Sequence, residues 1–351
     1  MIRSIWGQGE ALDEHHALVE RFTKAHSGGK LKRIAVLTSG GDAPGMNAAI
    51  RAVTRVALHQ GIRVVGVEWG YEGLIAGWMR ELDSRAVGGI IHRGGTILGT
   101  ARSEQFMTER GQQEAISNLL KWGVDGLVVI GGDGSLSGAQ VLHERGVAVI
   151  GIPATIDNDI AGTDMCIGAD TALNTAIDAI DRIKETASSH HRAFVVEVMG
   201  RNSGYLALMA GLAAGAEVVI VPEVEIGIEA LVPSVREAYA KGKPHFIAVV
   251  AEGARLKAKD LVDYMSHVAE GFEVRLTVLG HIQRGGSPTA FDRILATRLG
   301  AAAVYELLQG VSGKMVGLIG NTIVTTDLAQ AVGRPRGIDM RTYELASILA
   351  R

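Results

Sequence analysis

The chain holds a single cysteine, Cys166, which has no partner within the chain for a disulfide. That excludes a disulfide-stapled scaffold and fits a reducing compartment. Charge of one sign is missing too: 35 Lys and Arg stand against 38 Asp and Glu. A net charge of −3 leaves no basic surplus for nucleic acid. "RGG" occurs twice, at Arg93 and Arg284, but two isolated copies make no RNA-binding tract. There is no run of about 18 uninterrupted apolar residues, so no membrane span is expected. Aromatics are scarce at 5%, whereas glycines number 46. Many glycines imply many tight turns and close backbone approaches.

The first 30 residues lack the apolar core of a signal peptide, and a cytoplasmic protein is expected. Within them Leu12, His16, Val19 and Phe22 recur at helical spacing, so a short amphipathic helix is expected there. No Cys or carboxylate pattern completes a metal site around His15 and His16, which are read as solvent-facing.

From Leu31 onward, aliphatic runs alternate with helical patterns. The runs are "RIAVLTSGG", "VVGVEWG", "GLVVIGGDG", "VAVIGIPAT", "FVVEVMGR", "EVVIVPE", "FIAVVAEG", "RLTVLGH" and "MVGLIGN". Continuous apolar runs suit strands buried on both faces. Between them, "TALNTAIDAIDRIKETA" sets Leu173, Ala176, Ile177, Ile180 and Ile183 on one helical stripe. The alternation predicts an α/β fold of parallel sheets covered by helices. The 351 residues suffice for two domains or one large one.

Polar motifs follow the runs. Gly41 and Asp42 follow the first, Gly132 to Ser135 the third, and Thr155 to Asp159 the fourth. Met199 to Arg201, Glu252, and His281 to Arg284 follow later ones. Open parallel sheets bind ligands at their carboxyl edge. Glycine turns let backbone amides approach phosphate oxygens, and a following helix adds its N-terminal donors. No G-x-x-x-x-G-K-[ST] is present, so this is not a P-loop. Asp133 beside such a turn fits a Mg²⁺ ligand; a cap on the next helix is the other reading. Asp157 and Asp159 suit a base and a tuning carboxylate, or an Asx-rich turn. Arg102, Arg192, Arg201, Arg275 and Arg284 lie in or beside these motifs. Five arginines at one ligand edge point to a phosphate-bearing substrate.

Five motifs in order, "TSGGDAPGMNAAIR", "IGGDGS", "TIDNDIAGTD", "VVEVMGR" and "LGHIQRGGSP", carry a resemblance. From about Leu31 to Ala331 the chain resembles the bacterial ATP-dependent 6-phosphofructokinases. The resemblance implies two similar Rossmann-like α/β lobes with parallel-rich sheets. Residues 1–30 would be an extension. Residues 31–167 plus 282–332 would bind nucleotide, and 168–281 plus 333–351 sugar phosphate. It implies that Gly41, Arg102, Ser103, Gly132, Asp133, Gly134 and Ser135 hold ATP, with Asp133 on Mg²⁺. Asp157 would be the general base on fructose 6-phosphate, supported by Thr155 and Asp159. Met199, Gly200, Arg201 and Glu252 would hold the sugar, and Arg201 would also neutralise transition-state charge. Arg192, Arg275, His281 and Arg284 would clamp the 6-phosphate. Arg192 and Arg275 would serve a neighbouring subunit's site, which implies a homotetramer. An effector site for ADP or phosphoenolpyruvate would use Arg51, Arg55, Arg85, Lys184, Glu217 and Lys243, with Ser84 and Lys184 standing where the family has arginine.

Relatives that use pyrophosphate often carry a second Asp after the metal-binding one, and a Lys before the Thr of "TIDND". Here those positions are Gly134 and Ala154, which favours ATP. A pyrophosphate enzyme on the same scaffold, and a silent sugar-phosphate-binding regulatory subunit, are the alternatives. Loss of Asp133 or Asp157 would favour the silent subunit, yet both are present.

Overall fold

A computed structural model describes residues 31–231, 233, 241–268 and 273–350. The helix expected over Leu12 to Phe22, with His15 and His16, lies outside these residues.

One sheet contains β1 (Arg33–Ser39), β2 (Arg63–Val67), β3 (Met79–Leu82), β4 (Gly126–Gly131) and β5 (Val149–Pro153). The next four strands, β6 (Arg192–Val198), β7 (Val218–Ile220), β8 (Phe246–Ala251) and β9 (Glu273–Val278), form a second sheet. The chain then returns to the first sheet with β10 (Lys314–Ile319) and β11 (Thr322–Asp327). The strand orders are β11-β10-β5-β4-β1-β2-β3 and β7-β8-β6-β9. Among the described residues the helices are α1 (Met46–His59), α2 (Gly70–Ala76), α3 (Glu109–Lys121), α4 (Asp133–Glu144), α5 (Ala169–His190), α6 (Tyr205–Ala214), α7 (Ala258–Val268), α8 (Ala290–Leu308), α9 (Leu328–Ala331) and α10 (Met340–Leu349).

Among the described residues, the nine expected runs are the nine strands paired in parallel. Every residue of β4 and β8 is buried, which is why their sequences are apolar without alternation. The two strands outside the expectation, β3 and β11, pair antiparallel at the two edges of the first sheet. Both are polar and half-exposed, as edge strands usually are. α5 overruns the expected helix at both ends. Ala176 and Ile180 of its stripe are fully buried, while Leu173, Ile177 and Ile183 pack partly against the core. A single hydrophobic cluster takes in Ile34 and Ile130 of the first sheet and Val196 and Val249 of the second. Among the described residues, no helix is long and apolar enough to cross a membrane.

The two halves are also joined by a buried carboxylate. Asp292, in the first turn of α8, accepts hydrogen bonds from Gly168 N, Thr171 N and Thr171 Oγ1. It thereby satisfies donors at the start of α5, which has no side-chain cap of its own. Burial pushes its carboxyl up to about 6, against the pull of these donors. Asp292→Ala would strand three buried donors. We expect a loss of about 2 kcal/mol, read as a lower urea midpoint.

Candidate active site

The strand-end motifs do meet at the carboxyl edge. The turn after β1 and the turn after β4 pack face to face. A Cβ at Gly131 would meet the Ser135 side chain and Ser39 O, and one at Gly40 would sit 3.0 Å from Ser135 Oγ. Only glycine allows that approach. A Cβ on Gly132, at the N-terminus of α4, would lie 3.5 Å from the Thr155 side chain. Gly134 is exposed, and a Cβ there would meet nothing within 4 Å.

Asp133 does not cap α4. Its Oδ1 instead accepts the Gly333 N–H at 2.8 Å, from the segment between α9 and α10. Arg336 of the same segment donates its N–H to Asp159 O at 2.7 Å. Among the described residues, no group of three or more His, Cys, Asp or Glu could cage a metal. One carboxylate beside a phosphate turn suits Mg²⁺, which takes oxygen ligands and shares itself with substrate phosphates.

After β5 the chain turns sharply. Asn158 adopts a left-handed backbone, φ 49°, and is held by its own side chain. Its Oδ1 accepts from Cys166 N and its Nδ2 donates to Asp164 O. The flanking Asp157 and Asp159 are thereby fixed in direction. Asp157 is 7% exposed, and its Oδ1 is buried without a hydrogen-bond partner. Its N–H donates to Thr155 Oγ1. Burial, first, and then the Asp159 charge push the Asp157 carboxyl up to about 6, while Arg284 and Arg201 pull the other way. Asp159 is also raised, by burial and then by Asp133. These couplings place Asp159, Glu252, Arg201 and Arg284 near Asp157, and Asp133 near Asp159. A buried acid poised near 6 and short of a partner is suited to taking a proton.

The second sheet supplies the opposite wall. Glu252 Oε1 accepts from Gly200 N and Arg201 N, at 3.3 and 2.6 Å. Arg201 has φ 54°. This strained turn is held from below by Gln283, whose Oε1 accepts from Met199 N. Gln283 is fully buried and its Nε2 has no partner. Sequence reasoning missed both Gln283 and Asn158 as supports. The one available signal was an amide side chain inside each quoted motif. Arg284 lies across the first-sheet turn: its guanidinium fills the space a Gly41 Cβ would need, and Nη1 approaches Asp42 O at 3.4 Å. His281 and Arg102 are exposed. Ser103 Oγ donates to Glu72 at 2.6 Å.

The five arginines are not at one edge. Arg192 opens β6 and Arg275 lies near the start of β9, so both sit at the amino ends of parallel strands. Six residues of strand, about 20 Å, separate Arg192 from the Met199 turn. There Glu273 pairs with Arg192 at 2.6 Å and also with Arg275. The expectation of five clustered cations is corrected: Arg192 and Arg275 lie away from the carboxyl edge, while Arg201 and Arg284 act on Asp157.

The residues expected at an effector site fall into two groups. Arg51 and Arg55 lie on α1, and Arg85 follows β3, where Asp83 Oδ1 accepts its N–H. Lys184, Glu217 and Lys243 surround His245, whose imidazole is lowered chiefly by burial. Lys243 pairs with Glu217 at 3.1 Å, and Lys184 Nζ donates to Ala214 O. A cavity of about 410 Å³ opens beside Glu217 and Lys243, under Tyr343 of α10.

A phosphofructokinase family model matches residues 33–307. An ATP-dependent 6-phosphofructokinase of Halalkalibacterium halodurans is 54% identical over 322 residues, 91% of this chain and all of that one. One of Thermotoga neapolitana is 53% identical, with the same coverage of both chains. The structure of phosphofructokinase from Saccharomyces cerevisiae superposes with a TM-score of 0.81 at 38% identity. It is matched over 91% of this chain and 46% of its own, so this chain spans about half of the yeast one. A pyrophosphate-dependent phosphofructokinase from Marinobacter aquaeolei shares the fold: 22% identity, TM-score 0.78, over 89% of this chain and 86% of that one.

Proposed function

The chain belongs to the phosphofructokinase family, and from that premise we propose that it transfers the γ-phosphoryl group of ATP to the 1-hydroxyl of fructose 6-phosphate. The products are ADP and fructose 1,6-bisphosphate, and the step belongs to glycolysis. The observation that carries this reading is the buried, unpartnered Asp157 Oδ1, with Arg284 and Arg201 near enough to pull on its carboxyl.

Asp157 takes the proton of the 1-hydroxyl as the oxygen attacks the γ-phosphorus. Thr155 and Asp159 set its direction and its basicity. The amides of the Gly41 turn and of Gly132, Gly134 and Ser135 hold the phosphates of ATP, with Arg102 and Ser103 beside the nucleotide. Asp133 would hold Mg²⁺, which when bound neutralises the phosphate oxygens. Met199, Gly200, Arg201 and Glu252 position the sugar, and Arg201 offsets charge that develops on the transferring group. His281 and Arg284 grip the 6-phosphate from within the chain.

Arg192 and Arg275 complete the 6-phosphate clamp of a neighbouring subunit, in a homotetramer. Their place at the far edge of the second sheet favours this over a role in their own site. Residues 31–167 plus 282–332 form the nucleotide lobe, and 168–281 plus 333–351 the sugar-phosphate lobe. ADP or phosphoenolpyruvate binds between subunits at Arg51, Arg55, Arg85, Lys184, Glu217 and Lys243. The protein works in the cytoplasm.

The test is turnover of fructose 6-phosphate with Mg²⁺ and either ATP or pyrophosphate, following fructose 1,6-bisphosphate. Product with ATP alone is the expected result. Product with pyrophosphate alone would keep the acceptor and overturn the donor. Product with neither would turn attention to a silent, sugar-phosphate-binding subunit.

A further inference from the structure

The strap 332–338 carries the chain from α9, beside the first sheet, to α10, whose Tyr343 hydroxyl donates to Val219 O in β7 of the second. Gly333 takes φ 66° and ends α9, and Pro335 has no N–H with which to resume a helix. The strap therefore runs on without helical bonds, past two acids at the edge of the first sheet. Gly333 N meets Asp133 Oδ1, and Arg336 N meets Asp159 O.

Arg336 lends more than its backbone. Its Nη1 donates to Thr163 O at 2.9 Å and to Asp164 O, and its Nη2 stands 3.9 Å from an Asp164 carboxylate oxygen. One residue thus holds both ends of the loop 159–164. The same Asp164 O also accepts from Asn158 Nδ2, the side chain that fixes the left-handed turn between Asp157 and Asp159. Asp164 is anchored in turn to the end of β10, through Leu318 O and Gly320 N. Arg336 therefore closes a ring of hydrogen bonds around the turn that carries Asp157. A backbone in a sparsely populated region persists only where its surroundings hold it.

Stability does not account for this arrangement. The Arg336 side chain is 39% exposed. Bonds at such a surface contribute little to folding, because water replaces them when they are lost. What they supply is direction, and a small misplacement of a reacting group is costly in rate. We infer that Arg336 is a positioning residue, which sets the aim of the Asp157 carboxylate from the strap between the two sheets. The inference rests on Asp157 as the general base.

The experiment compares the full chain with Arg336→Ala, Arg336→Lys, Arg33→Ala and Asp157→Asn in fructose 6-phosphate turnover with Mg·ATP. Arg33 is the control. It also donates to a backbone carbonyl, Trp122 O, but from the start of β1, at the opposite edge of the sheet. We expect Arg336→Ala to lower kcat about tenfold, with both KM values and the melting temperature unchanged. Amide exchange over residues 159–164 should quicken, and Arg336→Lys should recover part of the rate. Arg33→Ala should do the reverse, losing melting temperature and keeping kcat. An unchanged kcat in Arg336→Ala, a rise in KM alone, or unaltered exchange over 159–164 would overturn the inference. Near-normal kcat in Asp157→Asn would instead overturn the reading of the base, and this inference with it.

Discussion

Replacing Asp157 with asparagine lowers kcat by at least about 10²-fold, the scale set by a general base, and at the same time makes the protein more stable at pH 8. The second effect follows from the burial of the same carboxyl. When folded it titrates at about 6, against an ordinary value of 3.8. A carboxyl raised on folding favours the native state while it is protonated, below about pH 4. The penalty grows as pH rises and is complete above about pH 6. A rise of that size corresponds to about 3 kcal/mol. Asparagine removes the charge and keeps the shape. Its urea midpoint should therefore exceed that of the wild type at pH 8, and the two should converge near pH 4. A variant with near-normal kcat would place the base elsewhere. A variant that is inactive and also less stable at pH 8 would make Asp157 a structural group.

Gly134→Asp cuts ATP-dependent turnover sharply without harming the fold. The position is the second residue of α4, and a Cβ there meets nothing within 4 Å. Its φ is not left-handed, so any residue fits. An acidic residue in the first turn gains from the helix dipole, and loss of a helical glycine gains a little more. The melting temperature should hold or rise. The ligand has no such freedom. A new carboxylate about 4 Å from a phosphate oxygen, at an effective dielectric near 20, costs about 4 kcal/mol. We expect kcat/KM for ATP to fall by about 10²- to 10³-fold, and Gly134→Ala to lose far less. Undiminished ATP turnover in Gly134→Asp would mean that the nucleotide does not use this space, and Gly134 would no longer speak for ATP as the donor.

Parallel strands such as β4 and β8 were legible because burial on both faces leaves an unbroken aliphatic run, whereas β9 was legible from its Leu276 and Val278 although it is mostly exposed. β3 and β11 were not, since a half-solvated edge strand has no such signature. The carboxyl-edge motifs were legible as glycine turns after those runs. Arg192 and Arg275 were misplaced because nearness to a strand in sequence does not tell which end is meant. Only the parallel direction of β6 and β9 puts both at the amino edge. Asn158 and Gln283 act by holding turns rather than by charge, so a search for charged clusters passes over them. The approach of Gly333 to Asp133, 200 residues apart, has no local trace at all.

The insertion of the whole second sheet between β5 and β10 also has a consequence in time. A nascent chain completes β5 at Pro153 but cannot pair its outer edge until β10 begins at Lys314. At about 5–20 residues per second, the ribosome needs on the order of 10 to 30 s for that stretch. Throughout it the backbone of "VIGIP", apolar and later wholly buried, offers an open edge to any passing strand. The growing chain therefore carries an open strand edge that the finished fold does not have.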